Sequence, residues 1–313
     1  MDILFYLGIF VVSLFVLLRA SDWFVDAAES IGLSLGIPHF IIGVTIIAFG
    51  TSLPELATSV AAVLSGNSEI VVGNVIGSNI TNIALVLGLV AIYAKRIDLE
   101  YNIWHIDMPF LWGSAFMLWF VLYDYEVSIL EVFILLLGIV IFLIYSLKKD
   151  EEKGDLLQEN HDDIKVTWRT YTMLVIGLAL VWGSADYTIF AIQKLSEMAG
   201  INPEIIALSA VALGTSLPEI IVSLNAARKG KTAMAVGNVL GSNIFNTYVV
   251  MSIPAFFGKL KIPVELFSYY LPMMIVMTIL FGIMSNNKKI TRWEGAILVL
   301  FYLIYMASII QGA

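Results

Sequence analysis

The sequence predicts an all-α integral membrane protein whose ten transmembrane helices form two inverted five-helix repeats. Three observations carry that expectation. The composition is too apolar for a water-soluble globule. The apolar residues fall into ten stretches of spanning length. One motif pair occurs twice at a constant offset.

Of 313 residues, 59% are hydrophobic and 13% charged, against about 45–50% and about 25% in a typical soluble domain. The mean hydropathy is +0.91. A water-soluble globule cannot hide that much apolar surface, so the chain belongs in a bilayer. The net charge of −8 and the lack of a basic stripe argue against nucleic-acid binding. The chain has no cysteine, which removes disulfides, thiolate metal sites and cysteine catalysis.

A spanning helix needs about 20 mostly apolar residues. The first segment, 3–21, closes at Arg19; without a basic leader or a small-residue cleavage site it is expected to be a retained span. Segment 39–64 holds Gly-Thr-Ser-Leu-Pro-Glu, and 70–94 runs into Lys95-Arg96. Segments 103–122 and 127–147 follow, the latter ending at Lys148-Lys149. The charged stretch 148–167 lacks the EF-hand spacing and reads as a solvated linker. Segment 168–190 starts beside Arg169, and 203–227 ends at Arg228-Lys229. The last three are 233–257, 264–285 and 293–311. The runs are too long for barrel strands and do not alternate with period two.

With ten spans, one face of the membrane receives 14 of the 17 basic residues and the other receives Lys194, Lys259 and Lys261. The positive-inside rule makes the first face cytoplasmic. The linker is then cytoplasmic, both termini are extracellular, and the expected location is the plasma membrane.

Residues 50–55 and 214–219 both read Gly-Thr-Ser-Leu-Pro-Glu, and GNVIGSNITN at 73–82 is matched by GNVLGSNIFN at 237–246. The offset is 164 throughout, with about 18 of 33 positions identical from 50 to 82. Asp22 and Asp186 share the offset and read as helix-interface residues. The domains expected are a first repeat at 1–147, the linker at 148–167 and a second repeat at 168–313. A five-span half re-enters from the opposite face, so the repeats are inverted. Such architecture belongs to secondary transporters, whose sites lie near the midplane at interrupted helices.

Glu55 and Glu219 fall mid-segment, where insertion of a carboxylate costs on the order of 2.5–3.5 kcal/mol. No Lys or Arg lies nearby in the same segments. A bound cation resolves the cost; the alternative is a pair of protonated glutamates hydrogen-bonded between helices. Pro54 and Pro218 lack an N–H, which frees the carbonyls of Gly50 and Gly214. Thr51 shares a helical face with Glu55, and Thr215 with Glu219. Asn74, Ser78 and Asn82 form a polar stripe that Asn238, Ser242 and Asn246 repeat. Interhelical hydrogen bonding is the rival reading of that stripe. Gly73, Gly77, Gly237 and Gly241 are spaced for close helix contact. The motifs offer oxygen ligands only, which suit Na⁺, Ca²⁺ or Mg²⁺ rather than zinc or copper, with Mg²⁺ less favoured because it sheds water reluctantly. His39, His105, His161 and Asp107 have no repeat counterparts that would build a further site.

The doubled Gly-Thr-Ser-Leu-Pro-Glu and GNVxGSNI motifs resemble the two α-repeats of the cation/Ca²⁺ exchanger superfamily, in its Na⁺/Ca²⁺ exchanger branch. The resemblance covers essentially the whole chain and is closest to small prokaryotic exchangers without a large regulatory loop. It implies an antiporter working by alternating access, not an enzyme, with Na⁺ and Ca²⁺ as transported ions and no resident cofactor. It implies Ca²⁺ binding by Glu55 and Glu219 with the backbone oxygens of Thr51 and Thr215. It implies Na⁺ sites that share those glutamates and add Ser52, Ser78, Ser216, Ser242, the two threonine hydroxyls and the carbonyls of Ala48 and Ala212. Asn82 and Asn246 would flank the central site. Some relatives, the K⁺-dependent ones among them, carry Asp at the position of Asn246, so K⁺ co-transport is not expected here. The alternatives are H⁺/Ca²⁺ or Na⁺/Mg²⁺ exchange, or a cation channel built on the same oxygens. The expected partners are the two ions and the lipid bilayer, with no protein partner inferred.

Overall fold

The computed structural model describes residues 3–99, 107–153, 166–198 and 214–311. The described chain is almost entirely helical. Eight of its helices are long and apolar enough to cross a membrane.

Helix α1 spans Ile3–Ser34, about 48 Å at 1.5 Å per residue. That exceeds the roughly 30 Å hydrocarbon core, and it passes well beyond the expected end at 21. Charge ends a hydropathy window but does not break a helix. The helix stops instead at Gly36, whose φ of +75° suits glycine. The extension carries Asp22, Asp26 and Glu29. Asp22 pairs with Arg228 at 2.9 Å and Lys229 at 3.3 Å, and Asp26 with Lys229 at 2.7 Å. Glu29 pairs with Lys231 and with His39, the latter at 2.8 Å. Asp22 is thus an interface residue as expected, whereas Asp186 is exposed.

Helix α2 covers 39–51, with a π-helical stretch at Gly43–Ile47, and α3 covers Leu53–Leu64. Helix α4 covers Glu69–Ala94. It opens into π geometry over Thr81–Leu87. Helix α5, Asp107–Val121, is described over 15 residues; residues 103–106 of the expected span, including His105, lie outside the described residues. Helix α6 runs Ile129–Lys153, past the expected linker start at 148. His161 lies outside the described residues. Helix α7 spans Trp168–Met198.

Helix α8 covers Leu217–Arg228; the earlier part of segment 203–227 lies outside the described residues up to 213. Helix α9 covers Thr232–Phe245 and continues as a π turn at Asn246–Val250. Helices α10 (Leu266–Ser285) and α11 (Arg292–Gln311) complete the chain. One element went unpredicted: β1 (Arg96–Asp98) pairs antiparallel with β2 (Lys289–Thr291), with Ile97 opposite Ile290. Three-residue strands are too short to show a period.

Helices α4 and α9 are the most buried, and α1 and α6 the most exposed. The exposed surface carries large apolar side chains such as Leu4, Phe15, Leu130 and Trp168, as a lipid-facing surface does. Helix α9 lies directly on α2. A Cβ on Gly43 would collide with the Met234 carbonyl, and one on Gly237 or Gly241 with the carbonyls of Phe40 or Val44. Here the small residues serve close backbone approach. The α3–α4 and α8–α9 turns are closed by Gly66 and Gly230, with φ of +85° and +78°.

Candidate functional site

The site is built on two matched helix starts, at Ser52 and Ser216. Ser52 has φ −89° and ψ 4°, and Ser216 has φ −87° and ψ 2°. Both angles leave the α region; Ser52 divides α2 from α3, and Ser216 is the residue on which α8 opens. Pro54 and Pro218 follow in the first turn of α3 and α8, where a missing N–H costs nothing. Glu55 and Glu219 sit in those same first turns. Each carboxylate therefore lies at a helix N-terminus, whose free N–H groups favour negative charge.

The Gly50 carbonyl, freed by Pro54, accepts a hydrogen bond from Trp182 Nε1 of α7 at 3.1 Å. A side chain of a distant helix engages it.

Both glutamates are 0% exposed, as are Thr51, Ser52, Ser216, Ser242, Asn82 and Asn246. Ser78 is also buried, and Thr215 is partly so. Links cross between the two motifs. Ser52 Oγ donates to Glu219 Oε1 at 3.2 Å. Thr51 Oγ1 lies 3.2 Å from both Asn238 Oδ1 and the Ile47 carbonyl oxygen, and Thr215 Oγ1 donates to Asn74 Oδ1 at 3.3 Å. Ser78 Oγ lies 3.4 Å from both Asn74 Oδ1 and Thr215 Oγ1. The Ala48 carbonyl accepts from Ser52 N–H at 3.1 Å and has the Thr51 hydroxyl at 3.5 Å. Asn82 and Asn246 lie in the π stretches of α4 and α9, a distortion frequent at functional sites.

Among the described residues, both carboxylate oxygens of Glu55, Oε2 of Glu219, Oγ of Ser216 and Ser242, and both amide atoms of Asn82 and Asn246 have no hydrogen-bond partner. Buried polar atoms are nearly always partnered. Seven buried oxygens without donors are a chemical request for a cation.

The structure thus brings together Thr51, Ser52, Glu55, Ser78, Thr215 and Glu219 by direct contact or shared partners. Ser216, Ser242, Asn82 and Asn246 are buried on the same motif or π-widened helices. Ala212 lies outside the described residues. Sequence reasoning missed Ser59 and Ser223. Asn74 Nδ2 donates to Ser59 Oγ and to the Glu55 carbonyl, both at 3.0 Å, and Asn238 Nδ2 to Ser223 Oγ at 2.9 Å. The signal was available: both serines lie four residues after a motif glutamate and share the repeat offset. Asn79 and Asn243 form another missed link, the second donating to the backbone carbonyl of the first at 3.4 Å.

The chain matches the sodium/calcium exchanger protein family over residues 5–148 and 170–311. It belongs to that family. A sodium/calcium exchanger of Methanosarcina acetivorans, MaX1, is 32% identical, with 95% of this chain and 96% of that protein covered. An uncharacterized membrane protein of Methanocaldococcus jannaschii is also 32% identical, with 97% and 98% covered. Among solved structures, the sodium-calcium exchanger NCX_Mj soaked with Na⁺ and Sr²⁺ superposes with a TM-score of 0.84 at 31% identity, covering 98% of this chain and 99% of that one. This member of the exchanger family is accordingly a helical membrane transporter and not an enzyme.

Proposed function

We propose that this chain is a secondary antiporter that exchanges Na⁺ for Ca²⁺ by alternating access. The observation that carries the reading is the set of buried, donor-starved oxygens on the two motif helices and the π-widened helices that follow them, those of Glu55 and Glu219 among them. The fold is ten spans in two inverted repeats, 1–147 and 168–313, joined by the cytoplasmic linker 148–167. Both termini are extracellular, and the protein resides in the plasma membrane. The salt-bridge cluster supports the topology, because it gathers Arg228, Lys229 and Lys231 with the end of α1 at one face, as ten spans require.

Ca²⁺ sits between Glu55 and Glu219, completed by backbone oxygens of Thr51 and Thr215. Na⁺ ions take the same carboxylates with Ser52, Ser78, Ser216 and Ser242, the threonine hydroxyls and the carbonyls of Ala48 and Ala212. Asn82 and Asn246 flank the centre. The ionised empty site carries two negative charges. One Ca²⁺ or two Na⁺ neutralise it, and a third Na⁺ leaves one positive charge. Exchange of three Na⁺ for one Ca²⁺ then moves one net charge, worth about 2.3 kcal/mol per 100 mV. Overlapping oxygens make the ions compete, and competition couples the two fluxes.

The test is radiolabelled Ca²⁺ uptake into proteoliposomes loaded with Na⁺ and diluted into Na⁺-free buffer. Uptake that vanishes when K⁺ or choline replaces internal Na⁺ supports the reading. Uptake indifferent to Na⁺ contradicts it; a response to an imposed pH gradient then indicates proton coupling, and no response indicates a channel.

A further inference from the structure

A hydroxyl has one proton and two lone pairs. For a threonine to serve a cation, its lone pairs must face the ion and its proton must go elsewhere. Three acceptors are in reach of the Thr215 proton: Asn74 Oδ1 at 3.3 Å, Ser78 Oγ at 3.4 Å, and the neighbouring Glu55 carboxylate; Ser78 Oγ itself donates to Asn74 Oδ1 at 3.4 Å, which leaves Asn74 as the acceptor both hydroxyls share. Donation to Glu55 would occupy a carboxylate oxygen and turn the threonine lone pairs out of the site. Donation to Asn74 leaves both groups open to an ion.

Which end of the Asn74 amide meets Thr215 is fixed chemically. Its other end lies 3.0 Å from the Glu55 backbone carbonyl, which only accepts, so that end is the NH₂. Ser59 Oγ, also at 3.0 Å, takes the second amide proton. Asn74 is buried, so water does not compete. The same three residue types recur as Ser223, Asn238 and Thr51, but there the Thr51 hydroxyl also has the Ile47 carbonyl at 3.2 Å, so its proton does not depend on Asn238 alone. All three positions repeat at the offset of 164. The relay crosses between the halves: Ser59 and Asn74 of one hold Thr215 of the other.

We propose that Asn74 is a positioning residue that orients the hydroxyl of Thr215 toward Na⁺. This rests on the reading above, in which the threonine hydroxyls bind Na⁺ while Ca²⁺ uses the threonine backbone oxygens. The effect is therefore ion-selective. Removing the side chain that orients a ligand changes ion affinity by about 10-fold or more.

The test measures half-saturating Na⁺ and Ca²⁺ in proteoliposomes for Asn74→Ala, Thr215→Val and the double variant. Asn74→Ala is expected to raise half-saturating Na⁺ about 10-fold with Ca²⁺ nearly unchanged, and the double variant to match Thr215→Val alone. An equal loss for both ions, additive effects or no change in Asn74→Ala each overturn the proposal. If Thr215→Val itself leaves Na⁺ unchanged, the ligand reading of the hydroxyl fails; if it shifts Na⁺ while Asn74→Ala does not, only the positioning role fails. Should Asn74→Ala not fold, Ser59→Ala reads the same relay, with a smaller shift in Na⁺ alone expected and an unchanged or ion-indifferent response overturning it.

Discussion

Ser52 Oγ donates a hydrogen bond to Glu219 Oε1 across 3.2 Å, joining residues 167 positions apart. The serine that interrupts the first motif helix thereby touches the carboxylate of the second. Any movement of one motif helix relative to the other must change this contact. Ser52→Ala removes one of the proposed Na⁺ ligands and is expected to raise half-saturating Na⁺, measured from Na⁺-dependent Ca²⁺ uptake. Unchanged Na⁺ dependence would remove Ser52 from the site.

Glu55→Gln and Glu219→Gln each keep the side-chain shape and remove a buried charge. In the ion-free protein that charge has no cationic partner among the described residues, so its loss does not destabilise. Both variants are expected to melt at or above the wild-type temperature without ions and to lose Ca²⁺ transport. Saturating Ca²⁺ stabilises the wild type by about 2.7 kcal/mol at 100 times its Kd. Thermal scans with and without Ca²⁺ check this: the upward shift is absent in either variant.

Gly43 faces the Met234 carbonyl so closely that a methyl group does not fit. Gly43→Ala is expected to cost at least about 1–3 kcal/mol, because the obstruction is backbone. Gly113→Ala is the control, since nothing lies within 4 Å of its added Cβ. Helix propensity makes that change stabilising by about 0.8–1 kcal/mol. Equal melting temperatures for the two variants would refute the close contact of α2 and α9.

The cluster of Asp22, Asp26 and Glu29 with Arg228, Lys229 and Lys231 ties α1 to the α8–α9 turn. Lys231 is only 17% exposed and contacts Asp26 and Glu29. Lys231→Ala is expected to lower the melting temperature. High salt should narrow the gap from the wild type, since the pairs are partly solvent-accessible. A gap that salt leaves intact would mean that Lys231 acts through its hydrocarbon stem.

Much of this was legible in the sequence because the motif occurs twice. One buried glutamate is ambiguous; two at matched positions mark Ser52, Ser216 and their neighbours as breaks on a shared site. The true end of α1 was not legible, because Asp22 ends hydropathy while helicity continues to Ser34. Trp182 capping Gly50 was not legible either, since the partners are 132 residues apart. Its counterpart at the repeat offset is Leu18, so the symmetry gave no hint. The β1–β2 ribbon joins two short segments whose pairing no local pattern encodes. Ser59 and Ser223 could have been found from their spacing to Glu55 and Glu219.

The central claim is that one buried set of oxygens serves both ions in turn. Equilibrium binding of radiolabelled Ca²⁺ to the purified protein, titrated with Na⁺ at constant ionic strength, tests it most directly. The account predicts complete displacement of Ca²⁺ by Na⁺ with a Hill coefficient above one, and no displacement by choline. Ca²⁺ that stays bound at saturating Na⁺ would contradict a shared site.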